Sequence, residues 1–263
     1  MRRSICAAVS MMCLAVPSWA DVKMTQNVTS KGMGIGGTAV STTYIKGLKM
    51  RTDTVTGDTT RTTIFDVDGQ KMFIFDSKKK EADVWDMADF AKQVGTTTDP
   101  AGMTASLKAN GQTKSISGKS ATGYDMLISL PANLGGKDDG MKMTVNLTGP
   151  VWVVKGAPGT EDYLRFYKAA AEKGFIFTDP RAAKAQGGQA KAMAEMYKQF
   201  AATGGVPYET EMNIKLSGEG PMAGMMARMG NISSTSTVQA IETASLDDAL
   251  FAPPAGYKVS AKK

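Results

Sequence analysis

Past its first twenty positions the chain is a succession of short apolar and polar alternations, broken by glycine, asparagine and aspartate. That texture predicts strands joined by tight turns. Segments 22–29, 38–45, 60–68, 70–76, 81–85, 104–110, 114–118, 124–130, 141–148, 151–154, 208–217 and 231–244 read this way. The stretch 44–54 adds a turn near Gly47, with Lys49, Arg51 and Asp53 on the face opposite Leu48 and Met50. In TTIFDVDGQKMFIFDSKKKEADVW, residues 62–85, Asp68-Gly69 sits between two aromatic and branched runs, a strong hairpin signal. A two-residue loop there puts Phe65 and Met72 on one face and Ile64 and Phe73 on the other. A three-residue loop groups Phe65, Phe73 and Phe75 instead. In both registers both faces are apolar, so this sheet is covered on both sides or turns one face to a cavity.

The period changes after Gly159. Thr160 can cap a helix, with Glu161 and Asp162 near its positive end. Tyr163, Phe166, Tyr167 and Ala170 follow at i, i+3, i+4, i+7, and Gly174 stops the run. A second helical segment starts near Asp179-Pro180, breaks at Gly187-Gly188 and resumes to Thr203, carrying Met193, Met196, Tyr197 and Phe200 on one stripe. Residues 87–94 are one or two helical turns, 96–103 a loop, and 246–251 a short helical turn before a final extended segment, 251–259. Two amphipathic helices need an apolar partner, and the sheet supplies it. The fold class expected is α+β: an antiparallel half-open β-barrel, a curved meander sheet, with helices plugging the concave face.

Composition narrows the chemistry. Arg2-Arg3, the apolar run 5–16 and Ser18-Trp19-Ala20 form a secretory signal peptide cut after Ala20, so a periplasmic location is expected. Residues 21–260 then form one domain, including a helical insertion at about 160–203. Both cysteines, Cys6 and Cys13, lie in the leader, and the chain has no histidine. An exported chain without a disulfide staple is held by its core. Zinc sites of the usual nitrogen and sulfur kind, cysteine nucleophiles and Ser-His-Asp triads cannot be built after the leader. Of 31 basic residues, 29 remain without Arg2 and Arg3, against 25 acidic; this mild excess is spread along the chain and offers nucleic acid no patch.

Other motifs resolve into structural roles. Gly32 to Gly37 satisfies G-x-G-x-x-G, but a β-branched run follows where a dinucleotide site needs a helix, so the segment is a glycine turn. The acid pairs Asp138-Asp139, Glu161-Asp162 and Asp247-Asp248 sit at turns or helix starts, where they cap rather than catalyse. Asp66-Val67-Asp68-Gly69 lacks the spaced ligands of a calcium loop and is turn chemistry. Met222, Met225, Met226 and Met229 fall at i, i+3, i+4, i+7. Thioethers at that spacing serve as core filler, as a deformable lid over an apolar ligand, or as soft ligands for Cu(I).

The segments Tyr44-Ile-Lys-Gly-Leu-Lys-Met-Arg51, Ile64-Phe65-Asp66, Val151-Trp152-Val153 and Tyr208-Glu-Thr-Glu-Met-Asn-Ile-Lys215, with the ending Phe251, Pro254, Gly256, Tyr257, carry a resemblance. The chain resembles a group of exported bacterial proteins with a domain of unknown function, similar in turn to the periplasmic lipoprotein-carrier superfamily. The resemblance implies a half-open barrel with a helical lid and an apolar cavity able to hold acyl chains. The function expected is therefore a non-enzymatic periplasmic carrier of a lipid or lipoprotein acyl chain. No cofactor, metal or nucleic acid is expected; the chain is expected to be a monomer that touches membrane or envelope proteins transiently. Cavity and lid residues are expected at Phe65, Phe73, Phe75, Trp152, Tyr163, Phe166, Tyr167, Met193, Met196 and Phe200, with the lid at Met222, Met225, Met226 and Met229. The rivals are an envelope structural protein with a filled barrel, a carboxylate-dependent hydrolase, and a methionine-based copper binder.

Overall fold

The computed structural model describes residues 21–32, 35–97, 103–134, 141–175, 177, 187–218 and 232–262. Twelve strands form one sheet: β1 (Asp21–Gly32), β2 (Ile35–Lys46), β3 (Lys49–Thr56), β4 (Thr59–Asp66), β5 (Lys71–Asp76), β6 (Glu81–Asp86), β7 (Thr104–Ile116), β8 (Lys119–Leu134), β9 (Met141–Val154), β10 (Val206–Gly218), β11 (Ile232–Ala244) and β12 (Lys258–Lys262). Their spatial order is β12-β6-β5-β4-β3-β2-β1-β11-β10-β9-β8-β7. The chain meanders outward from β1 to β6, crosses to the far edge at β7, and meanders back until β11 pairs with β1. Among the described strands only β12 pairs in parallel, along β6. The sheet is curved and open, with β7 and β12 as its two edges, and does not close into a barrel.

Several strands run longer than their sequence predicts. β7 passes through Asn110-Gly111 by a shift of register rather than a break. β9 continues through Gly149-Pro150. Pro150 has no N–H to donate, and the ladder from β9 to β10 skips both residues. A side chain at Gly149 would collide with the Glu211 carbonyl. The glycine turn expected at 32–37 is shorter than predicted, because Gly32 pairs with Ile35 and Gly36 and Gly37 lie within β2.

The hairpin register is the first of the two expected from sequence. Phe65 opposes Met72 and Ile64 opposes Phe73. The last rung is Asp66 with Lys71, so the loop spans four residues. The positive φ falls on Gln70, at 51°, and not on Gly69. The Gly69 N–H donates to Asp66 Oδ1 at 2.7 Å, while Val67 is fully buried and its N–H donates to the Leu48 carbonyl. Burial of Val67 draws it off the ladder and lengthens the loop.

Three described helices pack on this sheet: α1 (Met87–Thr97), α2 (Thr160–Glu172) and α3 (Gly187–Ala202). Gly159, not Thr160, is the N-cap of α2, and the Thr160 hydroxyl turns back to the Ala157 carbonyl at 2.6 Å. α3 carries the part of the second helical segment expected after Gly187-Gly188, and the part expected before it, from Asp179, lies outside the described residues. On the outer face, the segment after β11 forms a 3-10 turn, Asp248–Phe251, which packs Leu246 and Phe251 on Ile64, Phe75 and Ala82. Arg51 donates to the Leu250 carbonyl and Lys46 to that of Leu246, pinning this strap.

Candidate functional site

On the inner face of β1 to β6, Val22, Met24, Ile45, Met50, Phe65 and Met72 join the buried residues Tyr163, Phe166 and Ala170 of α2. Strand alternation supplies the sheet residues and the i, i+3, i+7 stripe supplies those of the helix. Phe65 meets Phe175 and Phe177 edge-on, with centroids 6.1 and 5.1 Å apart. Tyr167 stacks on Tyr197 of α3 at 5.2 Å, which joins the two helices through their aromatic rings. This side of the interior is filled.

The other side is not. α3 lies over β7 and β8 and contacts α2. Between α3 and the sheet lies a cavity of about 250 Å³. Its helical wall is Tyr163 from α2 with Met196, Tyr197 and Phe200 from α3. Its sheet wall has two chemistries. Met126 and Ile128 of β8 and Pro207 and Met212 of β10 are apolar; Gln26 of β1, Thr210 of β10 and Ser236 of β11 are polar and uncharged. Two ladders are irregular here, β1 with β11 at Thr25/Gln26 and β10 with β9 at Pro207/Glu209, on either side of the regular pairing of β10 with β11. Bulges of this kind re-aim side chains, and they are frequent next to binding sites.

No acidic or basic side chain lines the cavity among the described residues. Burial pushes the Tyr163 and Tyr197 phenols well above their ordinary pKa, so both stay neutral hydroxyls. Among the described residues no group of three or more His, Cys, Asp or Glu side chains is placed to hold a metal. The soft donors at the cavity are the thioethers of Met126, Met196 and Met212. Of the acid pairs, Asp247 caps the 3-10 turn, Asp248 pairs with Lys46, and Asp162 is buried against Arg165. Asp138 and Asp139 lie outside the described residues.

α3 is fastened to the sheet edge by one side chain. Gln199 accepts from the Leu107 N–H at 2.6 Å and donates to the Ala105 carbonyl at 2.9 Å. It therefore occupies the backbone positions of β7 that a further strand would take, which covers part of an otherwise open edge.

Of the residues singled out in the sequence, Tyr163, Met196 and Phe200 line this cavity. Phe65, Phe166 and Tyr167 belong to the filled aromatic side. Phe73 and Phe75 correct the expectation: the register turns them to the outer face, where Phe75 meets Tyr257 at 5.5 Å. Trp152 is not among the cavity-lining residues either; it is buried in the same cluster as Phe65 and Phe166. Alternation along β9 points it away from Val151 and Val153, and Lys114 Nζ lies 4.3 Å over its ring. Met193 lies in α3, but its side chain is outside the described residues. Met222, Met225, Met226 and Met229 are likewise outside them. The sequence-derived set omitted Gln26, Met126, Ile128, Tyr197, Pro207, Thr210, Met212 and Ser236. The stripe of α3 already carried Tyr197, and strand alternation put Met126 and Ile128 on one face; the polar trio has no signature in sequence.

The sequence matches no protein-family model and no curated protein. Among solved structures it is similar to PNGF-II, at 10% identity and a TM-score of 0.38, over 92% of this chain and 31% of that one. It is also similar to a putative outer membrane lipoprotein-sorting protein domain from Vibrio parahaemolyticus, at 9% identity and a TM-score of 0.31, over 89% of this chain and 90% of that one. At these TM-scores neither likeness bears weight.

Proposed function

We propose that this protein is a non-enzymatic binding or carrier protein of the bacterial periplasm that holds an apolar chain, of a lipid or an acylated protein, beneath α3. The observation that carries this reading is the cavity of about 250 Å³ with a largely apolar wall. Its volume is that of roughly eight water molecules at ~30 Å³ each, or a similar number of methylenes. Burying eight methylenes contributes up to about 6 kcal/mol before ordering costs are subtracted. One chain of moderate length fits, rather than several. The methionine wall suits this task, since thioethers repack around variable apolar shapes. The leader features at Arg2-Arg3 and Ser18-Trp19-Ala20 support export.

The test is uptake of an environment-sensitive lipid fluorophore, with native mass spectrometry of protein isolated from its own periplasm. Expected are a blue-shifted, saturable signal and a co-purifying mass consistent with one acyl chain. A protein that carries nothing and takes up no probe overturns the reading. One observation favours a second reading, an envelope structural protein without a ligand: the interior beneath β1 to β6 is already filled. That protein would fail both tests while folding stably.

A further inference from the structure

Resting on that reading, the two chemistries of the cavity wall narrow the ligand. Gln26, Ser236 and Thr210 sit on β1, β11 and β10, which are neighbours in the sheet. Thr210 directly opposes Ser236, and Ser236 opposes Val28, two residues along β1 from Gln26. The three therefore form one polar strip across three strands on the inner face. A bulge beside Gln26 fixes where this strip meets the cavity. Among the described residues none of the three side chains hydrogen-bonds to protein. Together they offer an amide and two hydroxyls, able both to donate and to accept. Opposite them stand Met126, Ile128 and Met212 on the sheet and Met196 and Phe200 on α3.

We infer that the cavity selects an amphiphile with an uncharged polar end, an acyl ester, amide or alcohol held by Gln26, Thr210 and Ser236, over one ending in a carboxylate, phosphate or ammonium group. The reason is desolvation. A neutral ester or hydroxyl exchanges its water for the amide and hydroxyls at little cost. An ion entering the same place loses its hydration and finds no counter-charge among the described lining residues, so its desolvation is uncompensated. The apolar wall is indifferent to the head group, so selectivity resides in the strip.

The experiment uses the chain from Asp21 to Lys263 and three probes of equal chain length, octanoylglycerol, octanoic acid and octyl phosphate. Each displaces a bound lipid fluorophore below its micellar concentration. At neutral pH octanoylglycerol is expected to bind at least tenfold more tightly than either anion. As the pH falls below the carboxyl pKa, octanoic acid becomes neutral and its deficit should shrink. Gln26→Leu is expected to weaken octanoylglycerol at least threefold relative to octane, with Ser236→Ala acting in the same direction and the circular dichroism of both matching the parent. Anions that bind as well as the ester overturn the inference while leaving the apolar site intact. So does a Gln26→Leu variant that binds octanoylglycerol normally. If no probe and no fluorophore binds, the ligand-site reading itself falls, and this inference with it.

Discussion

The two ends of one sheet are finished differently. Under α2, Phe65, Phe166, Phe175, Phe177 and Tyr167 interlock at centroid distances of 5.1 to 6.1 Å, and Ala170 and Phe166 are wholly buried. Under α3, the same kind of curved sheet meets a helix across a cavity, with methionine and isoleucine on the walls. Rings are rigid and fill space in few ways, whereas methionine has three rotatable bonds and adapts. The rigid half anchors the fold, and the adaptable half has room for something else. A helix on a curved sheet is thus a plug or a roof according to the residues between them.

Truncating one ring in each half should separate the two most strongly. Phe166→Ala should cost about 3–5 kcal/mol, because rigid neighbours cannot collapse into the space. Phe200→Ala should cost about 1–2 kcal/mol, since one side of that ring already faces the cavity. Urea midpoints at constant slope measure both, and equal losses would erase the distinction. Filling space gives the converse contrast. Ala170→Leu in the packed half should destabilise by about 1–3 kcal/mol through overpacking. Thr210→Leu, which adds volume toward the cavity, should change stability by less than about 1 kcal/mol while lowering uptake of a lipid fluorophore.

The fastening of α3 comes next in size. Gln199→Ala removes two hydrogen bonds to the β7 edge and should cost about 1–2 kcal/mol. Amide exchange at Leu107 should accelerate, while exchange at Met50 and Phe65, in the filled half, stays slow. Uniform acceleration would mean that the two halves open as one.

The smallest effect at neutral pH is electrostatic. Burial raises the phenol pKa values of Tyr163, Tyr167 and Tyr197 above their ordinary value of 10.0. The folded state then holds protons that the unfolded state releases, so stability is complete below pH 10 and falls as the pH rises beyond it. Each group contributes about 1 kcal/mol per pH unit in that window. Phenolate absorbance should therefore appear together with loss of near-ultraviolet dichroism. Tyr197→Phe should shallow the alkaline limb without altering the plateau. Early phenolate absorbance in the intact fold would show that these rings are wetter than their packing indicates.

Much of this architecture is written locally. Alternation with glycine and aspartate punctuation marks most strands, and the stripes Tyr163-Phe166-Tyr167-Ala170 and Met196-Tyr197-Phe200 mark two helices. Errors fell where local chemistry was overruled by neighbours. Asn110-Gly111 and Gly149-Pro150 look like breaks, but the ladders on either side carry the strands through them. Asp68-Gly69 looks like a two-residue turn, but burial of Val67 enlarges the loop while keeping the register.

The element types and the apolar face of each are local properties, because both follow from the period of side chains along one segment. That period does not determine which apolar faces share a space. Phe65 and Phe73 lie on opposite sides of the sheet because one register was chosen. Gln26, Thr210 and Ser236, distant in sequence, became one polar strip only when the returning meander placed β11 between β1 and β10. Pairing between distant strands is set by the energy of the whole sheet, and a cavity is the space its side chains leave unfilled, so the place where a ligand could fit exists only once the sheet is assembled.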